Sequence, residues 1–364
     1  MTRGRSGPAD RSRQPAADET AHLAAAAPDH LPVLLDAVLA ALAPRDGALY
    51  VDGTFGGGGY SAALLAAARC RVLGIDRDPD AVRRGAALAA AHPGRLRLIE
   101  GRFGDMERLI GAAAEGPIAG VALDLGVSSQ QLDRAERGFS FRRDGPLDMR
   151  MEGAGESAAD LVARLPEDEL AALIRALGEE RFARRVARAI VAARLRAPLR
   201  RTGELADIVR GAIPTREPGL DPATRTFQAL RLAVNDELGE LDRGLVAAER
   251  VLMPGGRLAV VAFHSLEDAR VKSFLRQRSA GAASASRHAP PLPGMAAPSF
   301  RLLTRRPIRP DADEITRNAR ARSARLRAAE RTAAAPWQAA ADAPAAARSI
   351  LGERASERAG GRAR

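Results

Sequence analysis

The 364-residue sequence contains one cysteine, Cys70, so no disulfide can form within the chain. A lone thiol suits a reducing compartment, and a cytoplasmic protein is expected. Lysine is equally scarce: Lys272 is the only one, and arginine supplies the rest of the 56 cationic side chains. Aromatic residues make up 3%, which argues against a nucleic-acid surface built from stacked Tyr and Trp. The histidines His22, His30, His92, His264 and His288, taken with Cys70, show no zinc-ligand spacing, and no metal is expected. No apolar run is long enough to span a membrane. The Ala run after His22 is short and cut by Pro28, unlike the core of a signal peptide.

Hydrophobic residues at 46% and charged residues at 28% are ordinary for a chain that buries a sizeable core. The formal net charge of +11 points to a polyanionic partner. GC-rich coding also enriches arginine and alanine, so charge alone allows nucleic-acid binding without demanding it. Residues 1–28 and 333–364, rich in Ala, Arg, Pro and Gly without periodicity, read as a disordered arm and a disordered basic tail.

Between these ends apolar runs alternate with helical patterns. Helices are expected over Leu31 to Leu42, Ser61 to Ala68 and Pro79 to Ala91. Strands are expected over Ala48 to Val51, Val72 to Ile75, Leu96 to Ile99, Val121 to Leu125 and Arg257 to Phe263. This alternation predicts an α/β fold, a Rossmann-like, mostly parallel sheet with helices on both faces, formed by residues 29–136 and 226–332. Over 137–225 the periodicity is helical instead: Phe182, Val186, Ala189, Ile190 and Ala193 share one face. That segment reads as a helical domain inserted between two strands.

Three strand ends carry candidate chemistry. The run Tyr50-Val51-Asp52-Gly53-Thr54-Phe55-Gly56-Gly57-Gly58-Gly59 turns a first strand into a first helix. Glycines there let the backbone approach a ligand, and a helix N-terminus offers unpaired N–H groups. Asp76 ends the next strand, where a carboxylate can accept both hydroxyls of a ribose. The pattern Gly57-x-Gly59-x-x-Ala62 also fits a dinucleotide fingerprint, so the loop alone leaves an NAD-dependent oxidoreductase open. Asp124, in Leu123-Asp124-Leu125-Gly126-Val127-Ser128-Ser129, either orients an amine or caps the next turn. His264, in Phe263-His264-Ser265-Leu266-Glu267-Asp268, is either structural or a proton-handling and orienting group together with Ser265. No G-x-S-x-G elbow accompanies it, which argues against a serine hydrolase. From Arg301 to Arg331 ten arginines face four acids, a run that reads as a solvated segment or as a grip on phosphates.

Taken together, Asp124 to Ser129, Glu136 to Phe141, Asp144 to Met151, Gly178-Glu179-Glu180-Arg181, Pro222 to Ala229 and Phe263 to Asp268 resemble one family: the bacterial ribosomal RNA small subunit methyltransferase H, or MraW, family. The resemblance runs from His30 to Arg327. It implies a class I methyltransferase that uses S-adenosylmethionine to methylate N4 of a cytidine in the decoding region of 16S rRNA. The partner is then 16S rRNA, within the small ribosomal subunit, with no membrane; a homodimer is left open. It further implies that Gly58, Gly59, Tyr60, Asp76, Phe103, Asp124 and Gln131 contact the cofactor. For that reaction, acceptors at the strand ends suit the task of orienting the base, so Asp124, His264 and Ser265 are the candidate catalytic residues. The sequence departs from the family's usual residues at Tyr60 (His), Gln130 and Ala319 (Pro) and Asp221 (His). A backbone contact at Tyr60 survives that change, and a side-chain role does not. Two other classes compete: the oxidoreductase, which leaves the basic C-terminal run unexplained, and a non-catalytic ribosome-assembly RNA-binding protein, which would not need a complete cofactor loop.

Overall fold

The structure, a computed structural model, describes residues 32–111, 113, 116–215, 217–280 and 297–337. The expected N-terminal arm, most of the basic tail and the first residue of the predicted helix at Leu31 lie outside these residues. Apolar runs become strands β1 (Leu49–Asp52), β2 (Arg71–Asp76), β3 (Leu96–Glu100), β4 (Ile118–Asp124) and β5 (Leu252–Ala262). Two further strands follow, β6 (Phe300–Leu302) and β7 (Arg325–Arg331). Among the described residues they form one seven-stranded sheet in the order β3-β2-β1-β4-β5-β7-β6. The first five run parallel, and β7 is antiparallel to both of its neighbours. The fold is the expected Rossmann-like α/β class with its mostly parallel sheet.

The helices pack on the sheet because their apolar residues fall on one side. On one face α1 (Leu35–Leu42), α2 (Gly59–Ala67) and α3 (Pro79–Ala91) bury Val38, Leu42, Leu64 and Leu65 against Tyr50, Val72 and Val261. On the other, α4 (Met106–Gly111), α11 (Glu237–Val251) and α12 (Ser265–Ala280) bury Met106, Leu241, Leu245 and Val271 against Val51, Val121 and Val260. Pro79 at the first turn and the Asp78 carboxylate, which accepts a 2.9 Å hydrogen bond from the Asp80 amide, fix the start of α3. No helix among the described residues is long and apolar enough to cross a membrane.

Between β4 and β5 the chain leaves the sheet as α5 (Ser129–Asp133), α6 (Ala158–Arg164), α7 (Glu167–Gly178), α8 (Ala183–Arg194), α9 (Thr202–Ala212) and α10 (Ala223–Val234). From α6 onward they share a separate apolar core that includes Leu161, Leu170, Ile174, Val186, Ile190, Leu205 and Val209. That core continues through Ala223, Phe227 and Leu230, beyond residue 225, where the sequence reading ends the insertion. Asn235 ties this layer to the loop that enters it. Its side-chain Nδ2 donates to the Met149 carbonyl at 2.8 Å, and its Oδ1 accepts from the Met151 amide at 2.9 Å.

The C-terminal arginine run departs from expectation. Arg325, Arg327 and Arg331 stand on one face of β7, since their spacings are even. Asp268 on α12 accepts bidentately from Arg327, at 2.7 and 3.1 Å, and also from Arg325. Arg331 donates to the carbonyls of Glu249, Ser299 and Ala334. Arg301 pairs with Glu330, and Arg320 pairs with Asp133. Half of the ten arginines are therefore structural ties, and Arg305, Arg306, Arg309, Arg317 and Arg322 remain exposed without an ion pair among the described residues. The expected tail also starts late: Trp337 donates through Nε1 to the Ala297 carbonyl at 2.8 Å and lies under the Arg278 guanidinium.

Candidate functional site

The strand order reverses between β1 and β4, because the chain builds outward from β1 on one side and from β4 on the other. Loops at the carboxyl ends of these two strands diverge to opposite faces and leave a crevice between them, where such sheets hold ligands. Each flanking strand ends in an aspartate: Asp52 on β1, Asp76 on β2 and Asp124 on β4.

The glycine loop is pinned to this edge. Asp76 accepts from the Gly56 amide at 2.6 Å through one oxygen and from the Asp78 amide at 2.8 Å through the other. Each carboxylate oxygen keeps a second lone pair for a ligand hydroxyl. Burial raises the Asp76 acid above the usual carboxylate range, partly offset by those amides. Gly58 has φ +78, and a Cβ there would lie 2.7 Å from the Phe55 ring, so only glycine fits without displacement. Gly59 opens α2, whose first-turn amides lack partners within the helix. Tyr60 presents its side chain elsewhere. It is buried, and its hydroxyl donates to the Val33 carbonyl; burial, then the charges of Asp124, Asp52 and Glu314, push the phenol up. Only its backbone is left for a ligand at the loop.

Asp124 is the most exceptional group. Its backbone amide donates to Thr54 Oγ1 at 2.6 Å, while its side-chain Oδ1 is buried with no hydrogen-bond partner. Burial raises its acid well above the usual range, and the charges of Asp52 and Glu267 add to the shift. Asp52, 1% exposed, accepts from Ser61 Oγ at 2.7 Å and is pushed up to about 6, chiefly by burial. Sequence reasoning passed over Asp52, although its position at a strand end matches those of Asp76 and Asp124. Thr54 and Ser61 were equally missed, and nothing local distinguishes them from other hydroxyls in a turn or a helix.

Phe103, opening a single turn of 3-10 helix (Phe103–Asp105), packs its ring against Gly244 of α11. Gln131 is buried with its amide engaged: Oε1 accepts from the Ser128 amide at 3.0 Å, and Nε2 donates to Asp78 at 2.9 Å. It ties the loop after β4 to the loop after β2. Arg137 reinforces the same Asp78 carboxylate at 2.9 Å.

The end of β5 lies beside β4, with Val261 in register with Asp124. There the buried Glu267 accepts from the amides of Phe263 and His264, at 2.8 and 3.3 Å. The His264 Nε2 is 3.1 Å from Glu267 Oε1 but is not aligned to donate to it, so this buried nitrogen makes no hydrogen bond. Despite its burial Glu267 is held below the usual range by His264, Arg231 and the Phe263 amide. Ser265 points outward and donates to Glu179, which caps α7 in the helical layer. The structure thus brings Asp124, His264 and Ser265 to adjacent strand ends. It places Asp76, Gly58 and Gly59 on the opposite wall of the crevice. Two other concavities, one among Glu180, Phe182, Leu220 and Arg225 and one among Arg45, Leu49, Arg71 and Met253, lie away from it.

Known proteins match this chain along almost all of its described length. The ribosomal RNA small subunit methyltransferase H of Paramagnetospirillum magneticum is 61% identical over 310 residues, covering 85% of this chain and 98% of its own. The enzyme of the same name from Rhodospirillum centenum is 61% identical over 305 residues, covering 84% and 93%. Among solved structures, one described as a putative rRNA-methylase from Clostridium thermocellum aligns over 82% of this chain and 96% of its own at 12% identity, with a TM-score of 0.37. The MraW methylase family matches residues 27–332, a span that holds the glycine loop, the three strand-end aspartates and the helical layer alike, and the chain belongs to that family.

Proposed function

We propose that this protein transfers a methyl group from S-adenosylmethionine to the exocyclic N4 of a cytidine in the decoding region of 16S rRNA, in the cytoplasm and within the small ribosomal subunit. Relatives at 61% identity carry the name of that enzyme. The observation that carries the reading is the unpartnered, buried Asp124 Oδ1, set beside Asp52 and Glu267. A buried acceptor without a donor is costly, and the neighbouring Asp52 and Glu267 carboxyls add to the cost of a charge at Asp124. A ligand bearing an ammonium and a sulfonium relieves both, and S-adenosylmethionine is such a ligand.

When bound, the cofactor supplies an electrophilic methyl group on sulfur. On this reading the amides at Gly58, Gly59 and Tyr60 line its path, and Asp76 offers its free lone pairs to the ribose. Phe103 flanks the adenine, Asp124 accepts from an amine, and Gln131 keeps the wall in shape through Ser128 and Asp78. The target amine is a weak nucleophile because its lone pair is delocalised into the pyrimidine. The protein therefore has to hold N4 in line with the methyl group and accept its N–H groups as it rehybridises. Asp124 and the His264–Ser265 turn, on adjacent strand ends, are placed to do so. The target base leaves its stack to reach them. The insertion, 137–225 with the continuation through α10, is the unit we assign to RNA recognition.

Nucleoside mass spectrometry of 16S rRNA from a deletion strain is the test. The N4-methylated cytidine is expected to vanish and to return with the wild-type gene but not with Asp124→Asn. An unchanged nucleoside in the deletion strain would remove the proposal.

A further inference from the structure

Glu179 sits where stability gives no reason for it. Its φ is +53, a left-handed conformation that glycine adopts without strain and a side chain does not. Its carboxylate lies at the C-terminal end of α7, where the helix dipole disfavours negative charge. No cation pairs with it among the described residues. Both chain neighbours nevertheless lock it in place. A Cβ at Gly178 would lie 2.4 Å from the Arg225 carbonyl, so the helix end packs directly on α10. Glu180 is buried and accepts from the Phe182 amide at 2.7 Å. The exposed Glu179 carboxylate is thereby carried across from the helical layer to Ser265 Oγ, next to His264 at the end of β5.

We infer that Glu179 is a catalytic residue of the methyl transfer, its carboxylate receiving a hydrogen bond and then the proton from the target amine. The inference rests on the function proposed above and names the proton acceptor for it. The N4 lone pair forms the bond to the methyl carbon as the carbon–sulfur bond breaks, its electron pair staying on sulfur. The nitrogen is left cationic, and its proton passes to Glu179 and from there to water. The other carboxyls of the site are less suited. Asp52 and Glu267 are buried and engaged by Ser61 and by the Phe263 and His264 amides, and burial favours the neutral acid at Asp124. Asp76 is tied by the Gly56 and Asp78 amides on the opposite wall, and of these described carboxyls only Glu179 is exposed and tied by a single hydroxyl.

Two variants separate chemistry from a mere contact between layers. Glu179→Gln keeps an oxygen for Ser265 but loses the charge. Glu179→Gly loses the contact but removes the backbone strain. The readouts are single-turnover methylation of small subunits purified from a strain lacking the enzyme, S-adenosylmethionine affinity by calorimetry, and Tm. Both variants are expected to slow methylation at least about a hundredfold, the low side of what a positioned proton acceptor contributes. Donor affinity should stay within about twofold, the range of a difference too small to assign to a lost hydrogen bond. Tm should be unchanged for Glu179→Gln and unchanged or raised for Glu179→Gly. Wild-type rates in Glu179→Gln would overturn the inference, and so would a loss of donor affinity matching the loss of rate. The wild-type reaction reports on the functional proposal independently.

Discussion

Replacing Asp52 with Asn tests the electrostatics of the site without removing its packing. The carboxyl is 1% exposed, accepts from Ser61 at 2.7 Å, and is raised by burial from 3.8 to about 6. The sign follows from which state holds the proton. Between these values the unfolded chain has released it and the folded chain has not, so unfolding gains ground as pH rises. The stability tied to the neutral acid is fully present below 3.8 and is lost once pH passes about 6. The shift corresponds to about 3 kcal/mol. Asn is neutral throughout and nearly isosteric, so Asp52→Asn should match the wild type at the acid end and exceed it by about 3 kcal/mol above the transition. Urea unfolding at a series of pH values gives both curves, and their difference cancels the titrating groups that do not feel the charge of Asp52. Parallel curves would refute the reasoning, because they would mean that Asp52 titrates alike in both states. Saturating S-adenosylmethionine should flatten the wild-type slope, since a nearby cation favours the charged form.

Three further outcomes follow from the same contacts. Tyr60→Phe strands the Val33 carbonyl and should cost about 1–3 kcal/mol in urea unfolding while leaving donor affinity intact; a marked loss of affinity would show that the phenol reaches the donor. Gly58→Ala forces a side chain into φ +78 and against the Phe55 ring, and a loss of about 1–3 kcal/mol is expected from urea midpoints. Arg327→Ala leaves Asp268 with only Arg325, so unfolding should be easier by about 3 kcal/mol, whereas Arg322→Ala should change stability by less than about 0.5 kcal/mol. Equal effects for the two arginines would contradict the division of the C-terminal run into paired arginines and unpaired, exposed ones.

The sequence by itself determined the elements whose causes are local. The first five strands are built on apolar runs, the helices carry their apolar faces at a spacing near 3.6, and Pro79 with Asp78 marks a helix start, so pattern alone places them within a few residues. The glycine loop, Asp76 and Asp124 were legible for the same reason: each follows directly from where a strand stops. What the tertiary structure decided are the features whose cause lies far along the chain. Strand β7 alternates arginine with apolar residues and reads as solvated until Asp268, 59 residues away from Arg327, neutralises it inside the sheet. The direction of Tyr60 depends on the Val33 carbonyl, 27 residues earlier. The carboxyl of Asp52 becomes exceptional only when neighbouring strands exclude water from it. The meeting of Glu179 with Ser265 spans 86 residues and two layers. Periodicity encodes which face of an element is apolar, but burial of charge depends on partners that no local window contains.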